Sequence, residues 1–260
     1  MNEFFIGLQF LTRISIVKQT VWTEESFGKS VKFFPAVGAV LGICYAVPIF
    51  IFIYLTDCAF PIFTGALGFF LNVVLTGGLH CDGLMDSADG LFSGREKDKM
   101  LEIMKDSLAG AFGVVSLVTV SALQISTLAE LAKFLPMLLC LAVYAAPIIG
   151  RLAMVLVISI FPYARPEGIG KAFSKYATPK TFFIALIETF FLLLPILFLE
   201  VEIFMAALMS MCAAVLFALY FGKFVMLKIG GLTGDIYGAV EFLAEVLVLI
   251  IFLFAGFYFN

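Results

Sequence analysis

The 260-residue chain is 63% hydrophobic and 13% charged, with a mean hydropathy of +1.12 and a net charge of −3. Soluble globular domains hold about 45–50% apolar and about 25% charged residues, so the composition excludes that class and indicates a polytopic helical membrane protein. So small a net charge gives no footing for a nucleic-acid partner. Five scattered cysteines without a CxxC, and a single histidine, exclude a disulfide framework and an ordinarily spaced zinc site. Glu3 stands almost at the start and no basic region precedes it, so no removed signal peptide is expected.

In chain order, residues 2–17 are apolar but broken by Gln9 and Arg13, which predicts an interfacial helix rather than a crossing. A polar stretch, 18–32, precedes 24 uncharged residues from Phe33 to Thr56, enough to cross a core of about 30 Å. Asp57 marks a turn, and a second uncharged run, 58–81, leads into an acidic stretch. Further spans are expected at 109–129, 135–161, 181–199, 203–222 and 239–259, with polar loops at 162–180 and 223–238. The expectation is one all-α domain over 1–260: a polytopic membrane bundle of about seven transmembrane helices plus the N-terminal interfacial helix. If the N-terminus is inside, 14 of the 16 lysines and arginines fall on inner segments, leaving Arg151 in a span and Lys133 outside. By the positive-inside rule this predicts a cytoplasmic N-terminus and gathers every glycine-rich polar loop on the cytoplasmic face.

The stretch from Thr76 to Met104, TGGLHCDGLMDSADGLFSGREKDKMLEIM, concentrates the chemistry. On a helix, offsets of 4 and 7 bring Asp82, Asp86 and Asp89 to within about 60° of one face. Side by side, such carboxylates repel one another unless a cation lies between them, and oxygen-only ligation suits Mg²⁺ or Mn²⁺. Lys105 and Arg165 are the expected partners for phosphate oxygens. The Gly230–Asp235 loop, with Gly231, Thr233 and Gly234, resembles an anion nest of backbone N–H groups. It leads to Asp235, Glu241 and Glu245, acids entering a membrane helix and therefore expected at a site. Arg151 and Glu188 lie at depths of roughly 16 and 12 Å in their spans, which predicts a buried pair between them, structural unless Arg151 also reaches a phosphate.

GGLHCDGLMDSADGL, the REKDKMLEIMKDS run and AFGV, with GLQFLTRI, FFPAVGAVLG, YARPEGIG and GGLTGDIYGAVEFLAE around them, resemble the adenosylcobinamide-GDP ribazoletransferase family, also called cobalamin 5'-phosphate synthase. The segments occur in the family's order almost end to end. The resemblance implies a multi-pass enzyme of the bacterial inner membrane that joins α-ribazole, or its 5'-phosphate, to the cobinamide phosphate of adenosylcobinamide-GDP and releases GMP. Mg²⁺ held by Asp82, Asp86 and Asp89, with Asp235, Glu241 and Glu245 as further acids, would bridge the diphosphate. Lys105, Arg165 and the 230–235 loop would hold phosphate and nucleotide or ribazole. His80 is either the general base or an orienter of an aspartate, and Asp89 is the competing base. Other enzymes of the same pathway are expected as partners on the inner loops. The alternatives are another Mg²⁺-dependent membrane phosphotransferase or a prenyltransferase, and, in a different class, a secondary transporter. Against the transporter, the charges gather at one face rather than at the midplane.

Overall fold

A computed structural model describes residues 3–18 and 23–259. The start of the expected 2–17 helix and part of the expected 18–32 connection therefore lie outside the described residues. The chain is all-α. Helix α1 (Glu3–Leu11) is followed by α2 (Glu24–Ser30), which a single 3₁₀ turn joins to α3 (Phe34–Thr56). Then come α4 (Pro61–Thr76), α5 (Leu79–Leu91), α6 (Lys97–Ile103), α7 (Ala111–Phe134) and α8 (Pro136–Ile160). The last four are α9 (Ile169–Tyr176), α10 (Pro179–Leu199), α11 (Val201–Ile229) and α12 (Gly234–Phe259).

Local chemistry accounts for the boundaries. Prolines open α4, α8 and α10, where a missing N–H leaves no bond unmade. Thr23 and Ser26 cap α2 reciprocally, and Gly230 in the left-handed region closes α11. Among the described residues six segments are long and apolar enough to cross a membrane: 24–56 and helices α7, α8, α10, α11 and α12. A seventh is completed only if α4 and α5 count as one bent span.

Helix α8 is the axis. From Ala145 to Ser159 every residue is buried, the mark of a helix enclosed on all sides. Helices α3, α10, α11 and α12 pack around it; α5 lies against α12 and α7, and α4 lies against α7 and α3. The outward faces of the surrounding helices stay apolar, as at Val115, Phe191 and Leu216, in keeping with a lipid surround.

Three boundaries differ from the sequence reading. The second crossing does not run to residue 81. It ends at Thr76, because Gly77 (φ +66°) and Gly78 (φ +73°) both take the left-handed conformation and swing α5 through 92° relative to α4. The expected loop 223–238 is helical except around 230–233, since α11 continues to Ile229 and α12 already starts at Gly234. Within 162–180, α9 occupies Ile169–Tyr176. A Cβ added at Gly78 would meet nothing within 4 Å, so Gly78→Ala isolates the backbone term. It should lower stability by about 1–2 kcal/mol, read as a lower unfolding temperature in detergent. An unchanged temperature would mean that the corner does not depend on its left-handed backbone.

Candidate active site

Helix α5 carries His80, Asp82, Asp86 and Asp89, as the spacing predicts. It lies against α12 at a glycine crossing. A Cβ on Gly83 would stand 2.7 Å from the carbonyl oxygen of Asp235 and 3.2 Å from Cα of Gly238. Only the absence of a side chain there lets the acidic helix approach the first turn of α12, where Asp235 sits.

The second wall comes from two loops zipped together. The Ala164 N–H donates to the Leu232 carbonyl at 2.8 Å, and the Leu232 N–H donates to the Pro162 carbonyl at 2.8 Å. This short bridge brings Arg165 to Asp235, Nη2 to Oδ2 2.8 Å. Thr233 donates to the same carboxylate at 3.1 Å and accepts from the Ile236 N–H at 3.4 Å, capping α12. Gly231 has its place in this bridge, beside Pro162 and Ala164. The N–H groups of Gly230 and Leu232 are spent on the carbonyls of Met226 and Pro162, so those two leave the expected anion nest. Gly234 faces open space.

Asp82 and Asp235 stand at a cavity of about 140 Å³. Phe10, Phe34, Phe173 and Tyr237 supply aromatic walls, and His80 and Gly234 also line it. The α5 carboxylates feel one another. The Asp86 carboxyl is pushed up to about 7, by burial first and then by Asp82, Asp235 and Asp89, with Arg165 opposing. A carboxyl raised by the carboxylates around it is one that a divalent cation would relieve. Among the described residues, no three His, Cys, Asp or Glu are grouped so as to hold a metal ion by themselves. Mg²⁺ is ordinarily held by one or two carboxylates together with substrate phosphates rather than by an all-protein cage, and Asp82 and Asp235 offer two oxygen-donor side chains at one cavity.

Other expected site residues are engaged elsewhere. Asp89 accepts from the backbone N–H groups of Gly110 (2.7 Å) and Gly113 (2.9 Å), anchoring the start of α7 to α5 with both oxygens. Arg151 does not pair with Glu188. Its Nη1 donates to Glu241 (2.6 Å), Glu245 (3.1 Å) and the Pro147 carbonyl (3.1 Å), and its side chain is fully enclosed. Glu188 instead lies beside the backbone N–H of Ala36, near the start of α3. Glu241 and Glu245, at 0% and 2% exposure, are therefore the counter-ions of Arg151 and not metal ligands, and Arg151 is not a substrate contact. Asn72 adds a hydrogen bond to Glu245 at 2.7 Å. His80 belongs to the same cluster. Its Nε2 lies 3.4 Å from Arg151 Nη2, and its Nδ1 lies 3.7 Å from Glu241 Oε2. A guanidinium only donates, so this Nε2 accepts and Nδ1 carries the proton. Burial and the neighbouring cation both disfavour the charged ring. Lys105 is exposed beyond α6 and lines neither cavity that Asp82 shares.

The family model for cobalamin-5-phosphate synthase matches residues 3–253. The chain belongs to that family. Among curated relatives, the adenosylcobinamide-GDP ribazoletransferase of Desulfitobacterium hafniense is 39% identical over 251 residues, covering 96% of each chain. Those of Desulforamulus reducens and Clostridium acetobutylicum are 36% and 35% identical, covering 95% and 92% of this chain and 94% and 90% of theirs. No solved structure matches the chain. The protein is thus a multi-pass transferase of the nucleotide-loop assembly step of cobalamin biosynthesis.

For this family member the structure adds residues that the sequence did not single out: Phe10, Phe173 and Tyr237 in the cavity wall, and Arg13 beside it. Their common signal is a polar or aromatic residue in a glycine-rich segment near a membrane face, which many structural residues share. The ion cluster gives a direct test. Arg151→Leu leaves two buried carboxylates without a cation and should cost about 3–5 kcal/mol, seen as lost folded yield in detergent. Adding Glu241→Gln and Glu245→Gln should recover much of that yield. If the triple variant folds no better than Arg151→Leu alone, the cluster is not what holds these helices together.

Proposed function

We propose that the protein transfers the cobinamide phosphate of adenosylcobinamide-GDP to a ribose hydroxyl of α-ribazole, or of its 5'-phosphate, and releases GMP. The observation that carries this reading is the meeting of Asp82 from α5 and Asp235 from α12 at the mouth of an aromatic-walled cavity. Phosphoryl transfer asks a protein mainly for positioning and for neutralisation of charge. In this reading the hydroxyl oxygen bonds to the cobinamide-linked phosphorus as the bond from that phosphorus to GMP breaks, and the hydroxyl proton leaves to a base.

Asp82 and Asp235, with Asp86, hold the metal face of the site. Mg²⁺ held by those residues would supply neutralisation of the diphosphate charge and of the negative charge that develops on the leaving group. Arg165 and Thr233 fix the Asp235 carboxylate, so one ligand is pre-set before substrate arrives. The flat base of α-ribazole would lie against the aromatic wall that Phe10, Phe34, Phe173 and Tyr237 give the cavity. In this reading His80 is not the general base, since its accepting nitrogen faces Arg151 and its other nitrogen faces Glu241, and neither reaches an aspartate. The Lys/Arg distribution supports an inner-membrane placement with the N-terminus and this site on the cytoplasmic side, where other enzymes of the pathway would reach it.

Membranes incubated with adenosylcobinamide-GDP, α-ribazole and Mg²⁺ should release GMP. Asp82→Ala and Asp235→Asn should each lower the rate by about 10²–10³ at normal protein levels. Full activity in either variant would remove the metal face from the mechanism.

A further inference from the structure

Two of the cations expected to neutralise phosphate are not available. Lys105 lies off the site, and Arg165 already bonds Asp235 at 2.8 Å. The cavity of about 140 Å³ has no lysine or arginine in its lining. A second cavity, of about 500 Å³, meets the first at Phe10, Leu79 and Asp82, and its lining includes Gln9, Thr12 and Arg13. Arg13 is the one cation lining either of these two cavities among the described residues.

The placement of Arg13 is built. Its backbone N–H donates to the Leu75 carbonyl at 2.7 Å, tying the N-terminal segment to the end of α4. Its guanidinium lies over Gly77, where a Cβ would collide with Nε and stand 2.7 Å from Cζ and Nη2. Gly77 thus makes the corner and also leaves the room in which the guanidinium lies. Among the described residues Arg13 joins no ion pair, although Asp82 lines the same cavity. An arginine and an aspartate that share a cavity without closing on each other leave space for a ligand carrying the charges both need.

We propose that Arg13 is a phosphate-binding residue of the site, gripping a phosphate oxygen of a substrate that lies across Asp82 from the larger cavity into the smaller. The inference rests on the phosphoryl-transfer reading and adds to it a cationic side chain in the cavity lining. A guanidinium can fork onto two phosphate oxygens, whereas a lysine at the same place offers a point charge only.

The test is binding of inorganic pyrophosphate, at fixed Mg²⁺, to the purified full chain in an uncharged detergent. Arg13 is exposed, so Arg13→Gln should fold. Arg13→Gln should weaken binding by about 10–100-fold, the worth of one charged hydrogen-bonded contact, and Arg13→Lys should restore part of it. In the transfer assay, KM for adenosylcobinamide-GDP should rise more than kcat falls. Pyrophosphate has neither corrinoid nor base, so a loss in Arg13→Gln stands even if the transfer reading fails. Unchanged pyrophosphate binding, beside an Asp82→Ala variant that is inactive, overturns only the Arg13 proposal. So does a variant that merely melts earlier, which would make Arg13 a cap on the end of α4. A change confined to anionic-lipid nanodiscs would assign the guanidinium to a lipid headgroup and equally overturn it.

Discussion

One buried guanidinium sets the geometry of the site end of this bundle. Arg151, in the most enclosed helix of the fold, is answered by Glu241 and Glu245 of α12, with His80 of α5 beside it and Asn72 of α4 bonded to Glu245. In an apolar surround, an unmatched charge costs several kcal/mol, so each partner holds the others in place. The cluster therefore fixes α4, α5 and α12 relative to α8. Fixing α5 and α12 also fixes Asp82 and Asp235, which ride on those two helices toward the aqueous face. The acids that look most catalytic in a span thus act as structure, and the acids near the helix starts are left for chemistry.

The site is a junction more than a pocket within one element. A pair of left-handed glycines turns α5 across the bundle, Gly83 lets it touch α12, and a two-bond bridge between the 162–164 and 232 segments delivers Arg165. Asp235 arrives already bonded to Arg165 and Thr233, while Asp82 is exposed and joins no ion pair among the described residues. A rigid ligand facing an adaptable one suits a centre that is completed only when a phosphate enters, as Mg²⁺ coordination requires.

Much of this was legible in the sequence, and the failures have physical causes. Uncharged runs of crossing length located the spans, and the 4-and-7 spacing placed three aspartates on one helix. Hydropathy could not see that the run 58–81 breaks at 77, because two glycines in a row change direction without changing polarity. Depth matching paired Arg151 with Glu188, but depth says nothing of rotation about the helix axis. Glu241 and Glu245, roughly 10 and 16 Å along α12 from Gly234, match Arg151 as well and face it. Asp89 shares a face with Asp82 by angle, yet the exposed amides at the start of α7 claim it, a tertiary contact 21 and 24 residues away in sequence. Arg13 read as an interruption of an apolar stretch, since nothing local indicates that Gly77 would lie beneath it.

In the proposed chemistry Asp82 and Asp235 would share a cation with a substrate diphosphate. The most direct measurement is electron paramagnetic resonance of Mn²⁺, standing in for Mg²⁺, titrated into the detergent-solubilised protein with and without GDP. Tight Mn²⁺ binding should need GDP, and it should vanish in both Asp82→Ala and Asp235→Asn while persisting in Glu241→Gln. Mn²⁺ retained in the two aspartate variants, or lost in Glu241→Gln alone, would contradict it.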